Sequence, residues 1–164
     1  RNAVGDSALV PAVQFNRPAA FVDLLLRAGV PCGANPYGLS ALHFAAIFGT
    51  SPGAVTHLAR RGAPADGQMD HGWSPPGTVS FIWSLPHRLW WSKSFFPVFF
   101  YHIKGATPIM LAAALGRFRE ADEFLACGAD TTVRNARGLT AADLARLFDL
   151  PVEHVAVFRG QRLT

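Results

Sequence analysis

The side chains able to do chemistry in this chain are few and scattered. Asp66, Asp70 and His71 bring two carboxylates and an imidazole within six positions, donor types that hold zinc elsewhere. Their spacing is irregular, and a solvated loop ahead of Gly72 accounts for them better. His87 and His102 lie in an aromatic stretch, where an imidazole in apolar surroundings is able to ligate a tetrapyrrole metal; a hydrogen-bonded or exposed histidine is the plainer reading. Glu120, Asp122 and Glu123, flanked by Arg117 and Arg119, read as a solvated helix face rather than an acid pair. Arg60 and Arg61 end a helix, where cations complement the dipole, and this outweighs a phosphate site. Cys32 and Cys127 are too far apart for a disulfide framework. Glycine-rich nucleotide loops, a His-Glu-x-x-His pair and a Cys-x-x-Cys pair are all missing from the sequence. The expectation is therefore a non-enzyme with no catalytic residues, no cofactor, no metal and no small-molecule substrate.

Whatever positions these residues must be built from an apolar chain. Of 164 residues 50% are hydrophobic and 16% charged, against about 25% charged in ordinary soluble domains, so part of the surface is expected to be covered. The net charge of +4 comes from scattered Lys and Arg, not from a run able to track phosphates, which argues against nucleic acid as a partner. No charge-free, proline-free apolar run reaches the roughly 18 residues of a transmembrane span. Two distant cysteines point to a reducing, intracellular setting. The chain starts at Arg1 rather than Met, so a processed or trimmed start is expected, as in an organelle protein or a fragment of a longer polypeptide.

The elements repeat. Aligned on a turn glycine, GDSALVPAV at 5–13, GLSALHFAA at 38–46, GATPIMLAA at 105–113 and GLTAADLAR at 138–146 share one pattern. The first two glycines are 33 residues apart, as are the last two, and Gly38 and Gly105 are 67 apart, two periods with one residue over. Gly72 falls in that gap at the expected phase, so five rungs are expected, the middle one poorly written. Ser7, Ser40, Thr107 and Thr140 should cap first helices, with Pro108 and Pro75 in the first turn. Gly49, Gly116 and Asn16 should end them in left-handed caps. Second helices carry Leu25-Leu26, Leu58-Ala59 and Phe124-Leu125, closed by Gly29-Val30, Gly62-Ala63 and Gly128-Ala129. Residues 151–158 form the expected last second helix, with a polar stop at 159–162.

The period and the segments Ser40-Ala41-Leu42-His43-Phe44-Ala45 and Thr107-Pro108-Ile109-Met110-Leu111-Ala112 resemble the ankyrin repeat and its T-P-L-H-x-A signature. The resemblance covers about three quarters of the chain. It implies an all-α solenoid of helix-turn-helix units, one domain over 1–164 with a divergent aromatic-rich segment at 67–104 in the third repeat slot. It implies a structural, hydrogen-bonding role for His43, and a concave binding face of loops and first helices.

All four tryptophans, Trp73, Trp83, Trp90 and Trp91, fall in the divergent segment, with Phe81, Phe95, Phe96, Phe99, Phe100 and Tyr101. Pro75, Pro76, Pro86 and Pro97 are expected to cut it into pieces too short for one regular helix: one to two turns from Ser84 to Trp91, then a helical or extended piece over 98–103. One reading packs the rings into a rebuilt rung; the sharper one leaves an apolar patch for another protein or for a membrane interface, where Arg88 and Lys93 would snorkel. Candidate contact residues are Trp83, Trp90, Trp91, Phe95, Phe96, Phe99 and Phe100, with the loop positions Tyr37, Arg134 and Arg137 and their neighbours Asn35, Pro36 and Asn135. The expected function is non-catalytic docking or scaffolding with one or more proteins. The alternatives are a peripheral subunit anchored by the aromatic segment to a membrane protein complex or bilayer surface, inside an organelle, and an enzyme fragment or regulatory domain of a larger polypeptide.

Overall fold

The computed structural model describes residues 2, 5–70, 75–90, 94–151, 155 and 158 and, along the helix of 75–90, the side chains of 78, 79 and 81–89. Among the described residues there are nine helices and no strand: α1 Leu9–Gln14, α2 Ala19–Arg27, α3 Ala41–Phe48, α4 Ala54–Arg60, α5 Pro75–Trp90, α6 Phe95–His102, α7 Pro108–Ala114, α8 Phe118–Ala126 and α9 Ala141–Leu147. Of the expected last helix over 151–158, most residues lie outside the described ones, as do Gly72, Trp73 and the polar stop at 159–162; Val155 and Phe158 are buried.

Local chemistry explains where the first helices begin. Ser40, Thr107 and Thr140 stand at N-caps in extended backbone, each answered by the side chain three residues on. His43 Nδ1 accepts from Ser40 N at 3.1 Å and lies 3.0 Å from Ser40 Oγ. Asp143 Oδ2 accepts from Thr140 N and Oγ1 at 3.0 and 2.8 Å, and Met110 Sδ takes the Thr107 N–H at 3.5 Å. His43, fully buried, is thus a capping residue. In the first copy Val10 has no acceptor to offer, and α1 begins at Leu9 after Ala8 with no side-chain cap, so Ser7 does not cap as expected.

Second helices close alike: Val30, Ala63 and Ala129 N–H bond back five residues to Leu25, Leu58 and Phe124, while the preceding glycines bond back three. Asn16 and Gly116 take the expected positive φ after α1 and α7, but Gly49 combines φ 77° with an extended ψ of 167° rather than a left-handed helical turn.

The apolar faces then dictate the stack. α1, α3, α7 and α9 pack in that order as an inner row, and α2, α4 and α8 as an outer row. Small residues such as Ala45, Ala46, Ala112, Ala113 and Ala145 are buried between inner helices, where they allow close approach, and Leu42, Leu58, Ile109 and Phe124 fill the space between rows.

The loops show where the aromatic segment belongs. Asn35 N–H bonds to Leu39 O at 2.8 Å and Gly38 N–H to Asn35 O at 3.0 Å; Asn135, Gly138 and Leu139 repeat this at 2.9 and 2.9 Å. Met69 N–H to Ala106 O at 3.0 Å and Gly105 N–H to Met69 O at 2.9 Å are the same two bonds. Met69 therefore occupies the asparagine position, and the 35 residues of 70–104 stand where the other loops have two. The loops also join edge to edge, Asp70 N to Tyr37 O at 3.1 Å and Ala136 N to Lys104 O at 3.0 Å.

This overturns the expected middle rung. α3 packs directly on α7 and α4 on α8, so among the described residues no helix lies between the second and third glycine-marked copies. The net insertion of 33 residues equals one period, which is why spacing alone reads it as a rung. It leaves through the loop tip and returns as a hairpin of α5 and α6, packed chiefly on each other. The prolines do not fragment it: Pro75 opens α5, Pro97 lies in the first turn of α6 after Ser94, and Pro86 alone sits inside a helix of 16 residues. Residues 98–102, left open between helix and extended, are helical.

Candidate docking surface

The hairpin has an anchored side and a bare side. On the anchored side Phe99 is buried, its ring centroid 6.4 Å from Phe148, and Phe95 sits 5.2 Å from Phe148 at a tilt of 54°. Phe99 and His102 close over Met110, Leu111, Leu144 and Phe148 of the inner row. At the C-terminal end of α6 the last loop holds on by polar contacts: Asn135 Nδ2 donates to His102 O at 2.8 Å, and the Arg137 guanidinium lies 4.1 Å from the Tyr101 ring centroid. Arg88 is held on Ser84 Oγ at 2.8 Å and reaches over Phe81 and Tyr101 at 5.2 and 4.8 Å. His87 approaches Tyr101 at 5.0 Å and His102 at 6.0 Å. Burial, reinforced by His87 and Arg137, lowers the His102 pKa from 6.5 to about 4, so this imidazole is neutral at pH 7.

On the bare side Val79, Ile82, Trp83 and Leu89 follow helical spacing along α5 and are 48 to 60% exposed. Phe96 on α6 is 61% exposed. Trp83 keeps one flank on Phe100, with ring centroids at 6.0 Å.

The expected contact residues thus divide. Trp83, Phe96 and, at 41%, Phe95 are exposed; Phe100 is half-buried, and Phe99 is part of the anchorage rather than of the open surface. Trp91 and the side chain of Trp90 lie outside the described residues. Tyr37 is half-buried in its loop. Arg134 is exposed but donates to Gly138 O at 2.6 Å, and Arg137 serves the hairpin. Asn35 and Asn135 are buried: their Oδ1 atoms accept from the amides of Tyr37 and Leu39, and of Arg137 and Leu139. They shape the loops from inside and are not in a position to meet a partner.

Other polar residues prove to be braces. Asp66 Oδ1 accepts from Asp130 N at 2.8 Å, and His71 lies outside the described residues. Among the described residues no three His, Cys, Asp or Glu gather as a metal ligand set. Cys32 and Cys127 are free thiols, Cys32 donating to Arg61 O. Glu120, expected on a solvated face, is buried: Oε1 accepts from Thr50 N at 3.1 Å and from Arg119 Nη2 at 2.6 Å. Glu123 Oε1 accepts from Gly53 N at 3.0 Å. Both carboxylates turn inward because α8 stacks directly on α4, which follows from the insertion stepping out of the rows.

Sequence reasoning also passed over Phe15, Phe44, Phe48 and Phe148, which the structure puts on the inner row. The signal was present: Phe15, Phe48 and Phe148 each stand ten residues past a loop glycine. No helix among the described residues is long and apolar enough to cross a membrane. No protein-family model matches the chain, and no curated protein matches it.

Proposed function

We propose that the chain is a non-catalytic docking module, an ankyrin-type repeat stack that holds out an aromatic helical hairpin as its contact element for a protein partner. The observation that carries this reading is the row Val79, Ile82, Trp83 and Leu89, exposed on α5, whose packing partner α6 is seated on Phe148 and on the Asn135 loop. An exposed apolar row of this kind marks an interaction surface. The likeness to ankyrin repeats rests on the 33-residue spacing, the capped first helices and the closed second helices. A protein partner is favoured over a bilayer by charge. Interfacial helices carry Lys and Arg on the polar rim, whereas Arg88, the described cation of the hairpin helices, is turned back onto Phe81 and Tyr101. Exposed Phe96 would extend the contact along α6.

A photo-crosslinking residue at Ile82, with exposed Leu24 on α2 as control, tests the reading in extracts of the source cells. A protein adduct specific to position 82 and lost in Trp83→Ser with Leu89→Ser supports it. Sedimentation with phosphatidylcholine–phosphatidylserine vesicles that is lost in the same variant would point to a bilayer instead. Equal labelling at both positions defeats both.

A further inference from the structure

The inner row carries a second apolar stripe, and half of it is already occupied. Counted from the loop glycines, the sixth residues are Pro11, Phe44, Leu111 and Leu144, and the tenth are Phe15, Phe48, Leu115 and Phe148. Since α1, α3, α7 and α9 pack side by side, equivalent positions share one face. Over α7 and α9 that face is covered by α6: Leu111 and Leu144 are buried, and Phe95 and Phe99, four residues apart, sit on Phe148. Over α1 and α3 it is bare, with Phe15 69% and Phe48 47% exposed and Phe44 stacked on Phe48 at 6.2 Å and 9°.

Charge adds a direction. α6 runs with its N-terminal Phe95 toward Phe148, at the end of α9 far from the loops, and its C-terminal His102 at the Asn135 loop. At the corresponding far end of the bare half stand exposed Arg17 and Arg117, the latter also donating to Ile47 O at 3.3 Å, beside a groove of about 440 Å³ lined by Phe48, Thr50 and the Arg119–Glu120 pair, whose charges cancel. A helix lying there as α6 lies on α9 would bring its N-terminal turn to these guanidinium groups, where carboxylates also suit the helix dipole.

We propose that the bare half of the stripe seats a helix of a partner protein built like α6: two large aromatic residues four apart, preceded by acidic residues in the first turn. The internal contact is the pattern, since the chain itself shows which helix this face accepts and in which orientation. This goes beyond the hairpin reading and does not depend on it, because the α5 row lies on another helix.

The test uses a labelled, lactam-stabilised peptide of residues 94–104 with Glu-Glu placed in front, titrated into the full chain by fluorescence anisotropy. Saturable binding is expected, weakened at least about tenfold, about 1.4 kcal/mol, by Phe48→Ser. Arg17→Glu with Arg117→Glu should weaken it similarly, and added salt should weaken wild-type binding. Leu24→Ser, an exposed apolar site on α2, and Ile82→Ser on the hairpin should leave it unchanged. Circular dichroism verifies that each variant is folded. Absence of saturable binding, or an equal loss in Leu24→Ser, overturns the proposal. So does concentration-dependent self-association abolished by Phe48→Ser, which would make a second copy of the chain the occupant. A loss confined to Ile82→Ser would overturn this proposal while leaving the hairpin reading intact.

Discussion

Replacing Glu120 by alanine should destabilise the stack strongly, although a carboxylate on a helix next to two arginines looks expendable. The side chain is 5% exposed and its Oε1 is held by the Thr50 amide at 3.1 Å and by Arg119 at 2.6 Å, with Arg119 also donating to Thr50 O. Removing it deletes a hydrogen bond to a charged acceptor, worth about 1.5–3 kcal/mol, and leaves a buried Thr50 N–H without its acceptor at a cost of about 1–3 kcal/mol. These overlap, and a net loss of about 3 kcal/mol is expected, which for a chain of this size lowers Tm by about 6–12 °C. Burial raises the pKa of Glu120, but the bonds from Arg119 and Thr50 more than offset it, and the result is a pKa below the usual carboxylate value. The stabilisation is therefore fully present above the ordinary pKa of 4.5 and lost as pH falls through the lower folded value, so the gap between wild type and Glu120→Ala should narrow in acid. Thermal melts at pH 7 and pH 3.5, with amide exchange of Thr50 followed by NMR, supply the readouts. An unchanged Tm, or a Thr50 amide exchanging as before, would refute both the bridge and the direct contact of α4 with α8. With a rung in between, Glu120 would be a layer away from Thr50.

Gly38→Ala should cost more than Gly138→Ala although φ is alike at 75° and 77°: an added Cβ at 38 meets Gln68 O at 2.5 Å and Asp70 N at 2.9 Å, while at 138 nothing lies within 4 Å. Chemical denaturation should give about 1–2 kcal/mol for Gly138→Ala, from the left-handed backbone alone, and about 3 kcal/mol or more for Gly38→Ala. His102 should titrate near pH 4 by NMR; because its folded pKa is depressed, its contribution to docking α6 is complete above about 6.5 and lost toward 4. Trp83 emission should shift over that window, less so in His102→Gln, and a histidine titrating near 6.5 would disprove the buried placement. Replacing 70–104 by Pro-Tyr should leave a cooperatively unfolding stack. Shortening the loop from 35 residues to two gains up to about 2.5 kcal/mol of closure entropy, which offsets part of the cost of uncovering Phe148, Leu111 and Leu144, at most about 1.5–3 kcal/mol for each side chain fully bared. Loss of the cooperative transition would show that the hairpin is part of the core.

What the sequence determined by itself was local. Ser40, Thr107 and Thr140 each carry their helix start because a cap needs only a side-chain oxygen and a partner three residues on, and all of this is written within one turn. The closures at Gly29, Gly62 and Gly128 and the four loop glycines are equally short-range, so helix class and period were legible. The aromatic segment was legible as the exception; which of its rings are exposed was not, since Trp83 and Phe96 are and Phe99 is buried. Rung count was not, because a spacing of 67 is the same number whether a unit is stacked in the row or looped out of it. Only the pairing of Met69 with Gly105 and Ala106, and of α3 with α7, decided that. From this one choice follow the burial of Glu120 against Thr50, the seating of Phe95 and Phe99 on Phe148, and the bare Phe15 and Phe48 beyond it. Each is a contact between residues 49 or more positions apart, or its absence, and a short-range pattern carries no record of which distant surfaces meet.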